Sequence, residues 1–246
     1  MEPEEYASIY ALEQSHWWYV GMQGIVTDLL DKYLSQTNNL DVLDAGCGTG
    51  GMMLALSRYG RVTGIDASNI AVSYCRERGL GRAFLASVVD LPFHDESFDL
   101  VTSFDVLYHV NVADDVHALR EFCRALRPGG TLCLRLPAFD WLRSAHDRIV
   151  HTRHRYTASE VRHKVERAGF RPLKVSYANS LLFPLAAGSR LLQRLSSSGK
   201  PPESDVQAAS PLTNRALLSV LTMESQLLRA VNFPVGLSVL CVARKP

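Results

Sequence analysis

The segment from Leu40 to Gly51 constrains the fold of this chain more than any other stretch. It reads LDVLDAGCGTGG, a short apolar strand that ends near Asp44 and runs directly into a glycine-rich loop. Glycines permit a tight turn and close approach of the backbone to a ligand, and residues Met52 to Tyr59 continue as a helix. This order predicts an α/β sheet with a nucleoside cofactor across the carboxyl ends of its parallel strands.

Two classes of cofactor fit that loop. Gly46, Gly48 and Gly51 satisfy the G-x-G-x-x-G spacing of dinucleotide folds, in which a helix N-terminus receives a pyrophosphate. Asp44 favours the other class, because a carboxylate aimed into the loop repels a pyrophosphate and attracts the ammonium group of S-adenosylmethionine. The residues therefore favour the sulfonium donor over NAD.

Two further carboxylates follow at later strand ends. Asp66 closes the strand from Arg61, where a carboxylate can accept hydrogen bonds from both ribose hydroxyls. Asp90 follows a third strand, from about Ala83 to Val88, and is the candidate for the adenine amino group, with apolar neighbours for the ring. The alternative for each carboxylate is a helix N-cap or a turn residue.

Taken together, these motifs resemble the class I S-adenosylmethionine-dependent methyltransferases of the type 11, or ubiquinone-biosynthesis-like, group. The resemblance covers about Asp41 to Phe170. It includes the segments DLPF from Asp90, FDLV from Phe98 and LRPGG from Leu126. It implies a Rossmann-like doubly wound sheet, mostly parallel with an antiparallel last strand and with helices on both faces. The expected cofactor contacts are Asp44, Gly46, Cys47, Gly48, Gly50, Asp66, Ala67, Asp90, Leu91 and Phe104.

The predicted elements divide the chain into three parts. Residues 1–36 are expected to form an N-terminal helical lid, with helices near Glu4 to Gln14 and Gly24 to Leu34 around the aromatic segment SHWWYVG. The alternative role of that segment is to pack against the edge of the sheet. Residues 37–178 and 234–246 form the methyltransferase core. A subgroup of the family has a similar aromatic segment followed by arginine, but Met22 and Gln23 stand in those positions here.

Residues 179–233 are predicted to be a helical insertion between the last two strands. Leu-rich amphipathic helices, the second from about Asn214 to Ala230, flank an SSSGKPP linker at residues 196–202. Their apolar faces either pack on the domain's own flank or on a second subunit, or cover a greasy substrate or a membrane surface.

The acceptor-side candidates lie after the fourth and fifth strands. His109, beyond the strand Phe98 to Phe104, is a candidate general base for a hydroxyl acceptor, and its alternative role is packing. The Arg- and His-rich stretch from Arg143 to Tyr156 predicts recognition of an acidic group by arginine forks. The alternative is a solvated helix face with salt bridges to the acidic N-terminal helix. The expected substrate contacts are Trp18, Tyr19, Arg153 and Tyr156.

Composition excludes several classes of function. A net charge of +1 over 246 residues gives no electrostatic reason to bind nucleic acid. No apolar run approaches the ~20 residues that span a bilayer, and the N-terminus lacks a signal pattern, so a cytoplasmic monomer or homodimer is expected. The five cysteines have no C-x-x-C spacing, and no carboxylate/histidine cluster has ligand spacing, so no metal site is expected.

The sequence thus predicts a methyltransferase that uses S-adenosylmethionine and releases S-adenosylhomocysteine. The expected acceptor is a small molecule or a glycan or lipid precursor in a bacterial biosynthetic pathway, methylated at oxygen, with nitrogen or carbon of a natural product as the alternative. Two other classes remain. A nicotinamide-dependent oxidoreductase is disfavoured by Asp44 and by the expected antiparallel strand pair, and a non-catalytic donor-binding scaffold is suggested by the long insertion.

Overall fold

The computed structural model describes residues 1–34, 37–195 and 209–246. Seven strands in these ranges form one sheet in the order β3-β2-β1-β4-β5-β7-β6. Their bounds are β1 Leu40–Ala45, β2 Gly60–Asp66, β3 Ala83–Leu85, β4 Phe98–Phe104, β5 Leu126–Pro137, β6 Arg171–Ala178 and β7 Ser238–Arg244. Strands β1 to β5 pair in parallel, whereas β7 lies antiparallel to both β5 and β6. The predicted sheet, with its antiparallel last strand, is confirmed.

Helices cover both faces of the sheet, as predicted. The helices in the described ranges are α1 Pro3–Leu12, α2 Trp17–Tyr33, α3 Gly51–Leu56, α4 Asn69–Glu77, α5 Asp115–Ala125, α6 His146–Ile149, α7 Ala158–Arg167, α8 Phe183–Leu195 and α9 Pro211–Ala230. A short 3-10 helix spans Asp140–Leu142. Helices α2 and α9 pack on one face, and α5 and α7 pack on the other. Within the described ranges, no helix is long and apolar enough to cross a membrane.

Helix α2 is an amphipathic layer of the core. Its buried side chains recur with helical spacing, from Met22 through Ile25 to Leu29, and they pack against Val42 and Leu240 of the sheet. Burying one such side chain is worth about 1.5–3 kcal/mol, so this face anchors the N-terminal helix to the sheet.

Helix α9, the second helix of the predicted insertion, packs against α2. Leu221 and Leu228 are fully buried in the same cluster. At the crossing, a Cβ on Gly21 would overlap Leu221, so a glycine lets the two helices approach closely. The apolar stripe of α9 therefore covers the domain's own flank. The predicted linker at residues 196–202 lies outside the described residues.

The aromatic segment of the N-terminal region is helical, where a linker between two helices was expected. Helix α2 begins at Trp17, about two turns before the expected start near Gly24. Two side chains satisfy its first N–H groups: Asn214 Oδ1 accepts from Trp17 N at 2.7 Å, and His16 Nδ1 accepts from Trp18 N at 3.3 Å. The first cap comes from α9, so local sequence could not reveal it.

Helix α7 shows half of the predicted capping box. The hydroxyl of Thr157 accepts from Glu160 N at 3.2 Å. The Glu160 carboxylate does not return to the cap, since it pairs with His154 at 2.9 Å and with Lys164 at 3.4 Å. The helix ends as expected, before Gly169 with φ +98°.

Two predicted strand boundaries differ from the structure. Strand β3 ends at Leu85. Ala86 N still donates to the Asp66 carbonyl at 3.0 Å, and the chain then turns into an isolated bridge between Ser87 and Asp90. Strand β5 already pairs with β4 at Leu126, so the predicted turn at residues 127–130 forms an irregularity within β5 rather than a lead into it.

Candidate active site

The candidate site forms at the carboxyl edge of the sheet, where β1 and β4 lie side by side. From this pair the chain order runs outward in opposite directions, toward β2 and β3 on one side and toward β5 on the other. In open α/β sheets, ligands bind in the crevice outside such a switch point. The loops that follow β1, β2, β4 and β5 therefore surround the site.

The loop after β1 is tight. The N–H groups of Gly46 and Cys47 both donate to the carbonyl of Ile65 at 2.8 Å. Gly46 has φ +90°, and a Cβ there would overlap Val106, so both conformation and space require glycine. The Cys47 thiol packs beneath the loop with its sulfur 3.9 Å from that of Cys75. The cofactor contact predicted for Cys47 stays a prediction.

Asp44 is a buried carboxylate, and only one of its two oxygens accepts a hydrogen bond within the described part of the chain. It is only 1% exposed, and the Thr102 hydroxyl donates to its Oδ1 at 2.8 Å. Its Oδ2 has no hydrogen-bond partner in the described part of the chain. Burial raises the pKa of Asp44 to about 7. A buried acceptor without a donor fits the role predicted for it, reception of a cofactor ammonium group.

Asp66 lies at the end of β2, beside the glycine loop. Its Oδ2 accepts from Gly48 N at 3.0 Å and its Oδ1 from Ser68 N at 2.9 Å. Burial raises the pKa of Asp66, while these backbone hydrogen bonds oppose the rise. A carboxylate oxygen can accept two hydrogen bonds, so both oxygens keep capacity for ribose hydroxyls. Ala67, also predicted to touch the cofactor, follows it on the surface.

The predicted adenine segment is half exposed and half core. Asp90 is exposed in the loop after β3, whereas Leu91 is 4% exposed and belongs to the core beneath it. Two side chains of α5 fix the backbone of the segment: Leu91 N donates to Glu121 at 3.1 Å, and Arg124 donates to the Leu91 carbonyl at 3.1 Å. The adenine contacts of both residues stay predictions.

Arg135, on β5, is a residue of the site that sequence reasoning missed. Strand pairing places it beside Phe104, on the sheet face that also carries Asp44. Its guanidinium lies 5.0 Å from a ring centroid of Trp18 and 5.5 Å from that of Phe104, and it pairs with Asp105 at 2.7 Å. The available signal was a single cation inside the apolar strand LCLRLP.

Trp18 and Tyr19, predicted to contact substrate, stand on the first turn of α2 at this same place. Their rings meet edge to face at 4.9 Å. Burial raises the pKa of Tyr19, and Glu5, Glu13 and Arg135 are among the charges around it. Both aromatics therefore cover the region of the glycine loop and of β5, while their contact with a substrate stays a prediction.

Glu13 is a second residue that sequence reasoning missed. Its carboxylate accepts from the Thr49 hydroxyl and pairs with Arg78 at 2.5 Å. It also accepts from the N–H of Gly51, at the start of α3 next to Gly50. Burial raises the pKa of Glu13. A protein carboxylate thus occupies the helix N-terminus that a pyrophosphate would need, which further disfavours a dinucleotide.

The first residues of the chain cross the cleft. The Tyr6 hydroxyl is hydrogen-bonded to Ser68 on the Asp66 side. On the other side, Glu2 pairs with His151 at 2.9 Å and its N–H donates to the Ile149 carbonyl at 3.2 Å. This contact links the Arg- and His-rich stretch to the acidic N-terminal segment, as the alternative role of the stretch predicts. The lid role of residues 1–36 stays a prediction.

His109 lies just beyond β4, with its ring 5.6 Å from that of His151. Burial lowers the pKa of His109 to about 4, so the ring is neutral at pH 7. Asn111 N donates to Nδ1 at 3.2 Å. Its Nε2 lies 3.4 Å from the N-terminal amino group of Met1, so both ring nitrogens are in contact with a nitrogen of the chain. The general-base role stays a prediction, and it requires one ring nitrogen to be released from these contacts.

The predicted substrate contact of Tyr156 needs correction. Tyr156 is 1% exposed, and its hydroxyl bonds to the Leu107 carbonyl at 3.0 Å and to Asp115 at 2.9 Å, so it is a core tyrosine. Arg153 pairs with the same carboxylate of Asp115 at 3.4 Å. Both side chains are drawn to the N-terminal turn of α5, which lies 38 or more residues earlier in the chain.

A cavity of about 690 Å³ lies beside His151, between the loop after β4, residues 143–152 and α8. Its charged lining residues are Arg143, Asp147, Arg148 and Arg190. Its size is that of a small-molecule pocket. The Arg- and His-rich stretch does build a cationic pocket, but the arginines that line it are not the predicted Arg153.

Comparison with known proteins gives matches to the part of the chain that contains the glycine loop. A family model described as "Methyltransferase domain", of type 11, matches residues 43–134. The 27-O-demethylrifamycin SV methyltransferase of Amycolatopsis mediterranei is 36% identical over 122 residues, which are 44% of this chain and 43% of that protein. The demethylmenaquinone methyltransferase of Staphylococcus aureus is 35% identical over 133 residues, 48% of this chain and 54% of that protein. Residues 43–134 of this chain thus carry the methyltransferase domain found in class I S-adenosylmethionine-dependent methyltransferases.

The fold of this chain is also found in solved structures. Geranyl diphosphate C-methyltransferase from Streptomyces coelicolor A3(2) superposes with a TM-score of 0.58 at 17% identity, over 89% of this chain and 79% of that one. The alignments with the curated relatives span about half of their length. The matched residues 43–134 contain Asp44, Asp66 and His109, but they end before Arg135 and before the cationic cavity.

Proposed function

We propose that this methyltransferase transfers a methyl group from S-adenosylmethionine to oxygen of a small-molecule, glycan or lipid-precursor acceptor in a bacterial biosynthetic pathway. The observation that carries the proposal is the partnerless Oδ2 of Asp44, buried beside the glycine loop. A buried charge without a partner is costly. A ligand ammonium group relieves that cost, and among the cofactors considered only S-adenosylmethionine brings one to this loop.

The residues present fit this cofactor. Asp44 would hold the ammonium group, and Asp66 would accept from the ribose hydroxyls with the lone pairs that Gly48 and Ser68 leave open. When bound, S-adenosylmethionine supplies a methyl group activated on a sulfonium. The protein's part is to align the acceptor and to exclude water. Trp18, packed on Arg135, supplies an apolar wall for that purpose.

Methylation at oxygen is supported by one relative and by one residue. The first relative named above is described as acting on a 27-O-demethyl compound. In this chain, His109 is neutral at pH 7 and lies in the loop that follows β4. A hydroxyl acceptor gains from a base that removes its proton, typically by 10²–10⁴-fold. His109→Ala is therefore expected to lower kcat by about that factor with donor affinity unchanged, and a change below about three-fold would remove the base role.

Calorimetric titration with S-adenosylhomocysteine tests the donor site, with NADH as the comparison ligand. The expected result is binding of S-adenosylhomocysteine alone, weakened at least ~10-fold in Asp66→Ala, since two hydrogen bonds to a charged group are lost. Asp95→Ala is the matched control, because Asp95 is exposed and its one ion pair within residues 1–34, 37–195 and 209–246 is with Arg124. Asp66→Asn separates ligand contact from loop support, because its amide can still accept from Gly48 N.

The remaining outcomes decide between function classes. Uptake of NADH without S-adenosylhomocysteine would overturn the proposal in favour of an oxidoreductase. Binding of S-adenosylhomocysteine without turnover across a panel of hydroxylated, amino and carbon-nucleophile acceptors would favour a donor-binding scaffold. Turnover only with amino or carbon acceptors would keep the methyltransferase and overturn the assignment to oxygen.

A further inference from the structure

The sheet face that carries Asp44 also carries an arginine. In the sheet, Asp44 is paired with Thr102, and Arg135 of β5 is paired with Phe104, two residues further along β4. Residues two apart on a strand share a face, so these side chains stand on one side of the sheet. Burial raises the pKa of Asp44, and the charge of Arg135 is among those that oppose the rise. The two opposite charges therefore act on each other at one end of the site.

The guanidinium group of Arg135 is fixed by its neighbours. It lies 5.0 Å from a ring centroid of Trp18 and 5.5 Å from that of Phe104. Its Nε donates to Asp105 Oδ2 at 2.8 Å, and its Nη2 lies 2.7 Å from a carboxylate oxygen of Asp105. Asp105 N in turn donates to the Arg135 carbonyl at 2.9 Å. Two aromatic rings and one carboxylate thus hold the cation in place before any ligand binds, which lowers the cost of binding one.

Asp105 occupies only part of the hydrogen-bonding capacity of Arg135. A guanidinium group has five N–H donors, and Nη1 has no acceptor within residues 1–34, 37–195 and 209–246. The side chain is 11% exposed, so it lies under a covering layer without being sealed. Asp105 itself has a φ of +56°, a conformation that residues other than glycine rarely adopt and that clusters at ligand sites. The ion pair therefore orients Arg135 and leaves donors for a second acceptor.

The cation on the other side of the glycine loop has its donors engaged. Arg78 follows α4, and its guanidinium donates to the Thr49 carbonyl at 2.8 Å, to the Tyr10 carbonyl at 3.0 Å and to Glu13. Each of these acceptors belongs to the protein. Arg135 is therefore better placed than Arg78 to receive an anionic group of a ligand.

We infer that Arg135 binds the carboxylate of the amino-acid end of S-adenosylmethionine, while Asp44 receives the ammonium group. The inference rests on the proposed function, which brings this cofactor to the site. The ammonium and the carboxylate of an amino acid are attached to one carbon atom, so a ligand whose ammonium reaches Asp44 carries its carboxylate to the same place. An arginine in a fixed orientation suits a carboxylate. Because Asp105 balances the charge of Arg135, the donor side keeps its net negative charge.

The test is calorimetric titration at pH 8 with three ligands. They are S-adenosylhomocysteine, its decarboxylated analogue, which keeps the ammonium group, and 5′-methylthioadenosine, which lacks both charged groups. The wild type is expected to bind the decarboxylated analogue about ten-fold more weakly than S-adenosylhomocysteine, the value of one charge-assisted contact. Arg135→Gln should weaken S-adenosylhomocysteine by about the same factor. The two losses should not add, so the variant should bind both ligands with affinities within about three-fold.

The third ligand and two further variants serve as controls. Arg135→Gln should bind 5′-methylthioadenosine as the wild type does, which also reports that the variant is folded. Arg135→Lys keeps the charge beside Asp105 and should retain part of the preference for S-adenosylhomocysteine over the decarboxylated analogue, so the test does not depend on the glutamine variant alone. Arg162→Gln, at an exposed arginine of α7, should leave all three affinities unchanged.

Three results would overturn the inference. An unchanged affinity of Arg135→Gln for S-adenosylhomocysteine would overturn it and leave the proposed function standing. Equal losses for all three ligands would mean that Arg135 acts only by supporting Trp18 and the loop, and would also overturn the inference alone. Absence of S-adenosylhomocysteine binding to the wild type would overturn the proposed function and the inference together.

Discussion

Replacing Asp44 with asparagine should stabilise the protein in the absence of cofactor while removing cofactor binding. Burial raises the pKa of Asp44 from its ordinary 3.8 to about 7. Each pKa unit is worth about 1.4 kcal/mol, so the ionised carboxylate destabilises the folded protein by about 4 kcal/mol above pH 7. Asparagine removes the charge and still accepts from the Thr102 hydroxyl.

The gain in the free energy of unfolding from removing the Asp44 charge is partly offset by a new cost. The asparagine amide would stand where Oδ2 has no partner, and a buried unsatisfied amide costs about 1–3 kcal/mol. The net stabilisation expected at pH 8 is therefore about 1–3 kcal/mol. For a chain of this size that corresponds to a rise in Tm of roughly 2–10 °C.

The sign of the pH dependence follows from the direction of the pKa shift. The folded-state pKa is above the unfolded value, so between about pH 4 and pH 7 the folded state binds more protons than the unfolded state. The wild type therefore loses stability as pH rises through this window, and the charge penalty is absent below it. The stability advantage of Asp44→Asn should shrink from pH 8 to pH 4.

Urea unfolding at pH 8 and pH 4, with and without S-adenosylhomocysteine, measures the difference in stability between the wild type and Asp44→Asn. Ligand at 100 times its Kd stabilises the wild type by about 2.7 kcal/mol, and the variant should gain much less. The affinity of the wild type should also fall below pH 7, because protonation of Asp44 removes the attraction for the ammonium group. Asp95→Asn, at an exposed acid, is the control. An Asp44→Asn variant that is less stable than the wild type at pH 8 would refute the reasoning.

Three further substitutions test other parts of the structure. Gly46→Ala should cost at least ~2 kcal/mol in urea unfolding and abolish S-adenosylhomocysteine binding, because it combines a φ of +90° with overlap on Val106. Burial lowers the pKa of Lys174 to about 8, so the folded state binds fewer protons than the unfolded state between pH 8 and 10. The stability of the wild type relative to Lys174→Met should then rise with pH there, by up to about 1.4 kcal/mol per unit, and a flat difference would contradict the shift. Tyr156→Phe should cost about 1–3 kcal/mol through the lost hydrogen bonds to the buried Leu107 carbonyl and to Asp115, with the KM for any acceptor unchanged, and a raised KM would restore Tyr156 to the substrate site.

The donor half of the site could be predicted from sequence because its geometry is local. Asp44 and Gly46 are placed by the end of one strand, and Asp66 by the end of the next. Parallel pairing of these strands, with Asp44 opposite Gly64, brings their carboxyl ends together without help from distant residues. A reader of the sequence needs only the strand boundaries, which apolar runs and glycines mark well.

The acceptor half could not be predicted in the same way, because its contacts join distant parts of the chain. Tyr156 looked like a ligand-binding tyrosine until α5 supplied Asp115 to its hydroxyl. Arg153 is drawn to that same carboxylate, and the cavity it was expected to line is completed instead by Arg190 from α8. An arginine-rich stretch thus predicts that a cationic surface exists, but which of its members face a ligand depends on partners that local pattern does not contain.

The donor side and the acceptor side of the candidate site also differ in the charge of the side chains that they offer to a ligand. On the donor side the open group is an anion, Asp44, at a fixed place in the sheet. On the acceptor side the charges are cationic and stand on the short helix α6 and on α8, whose positions depend on side-chain hydrogen bonds to loop carbonyls. A site that offers a fixed anion to one ligand and cations to the other discriminates between them by charge. In the proposed reaction, the donor, which carries an ammonium and a sulfonium group, would be attracted to Asp44 and repelled from the cationic cavity.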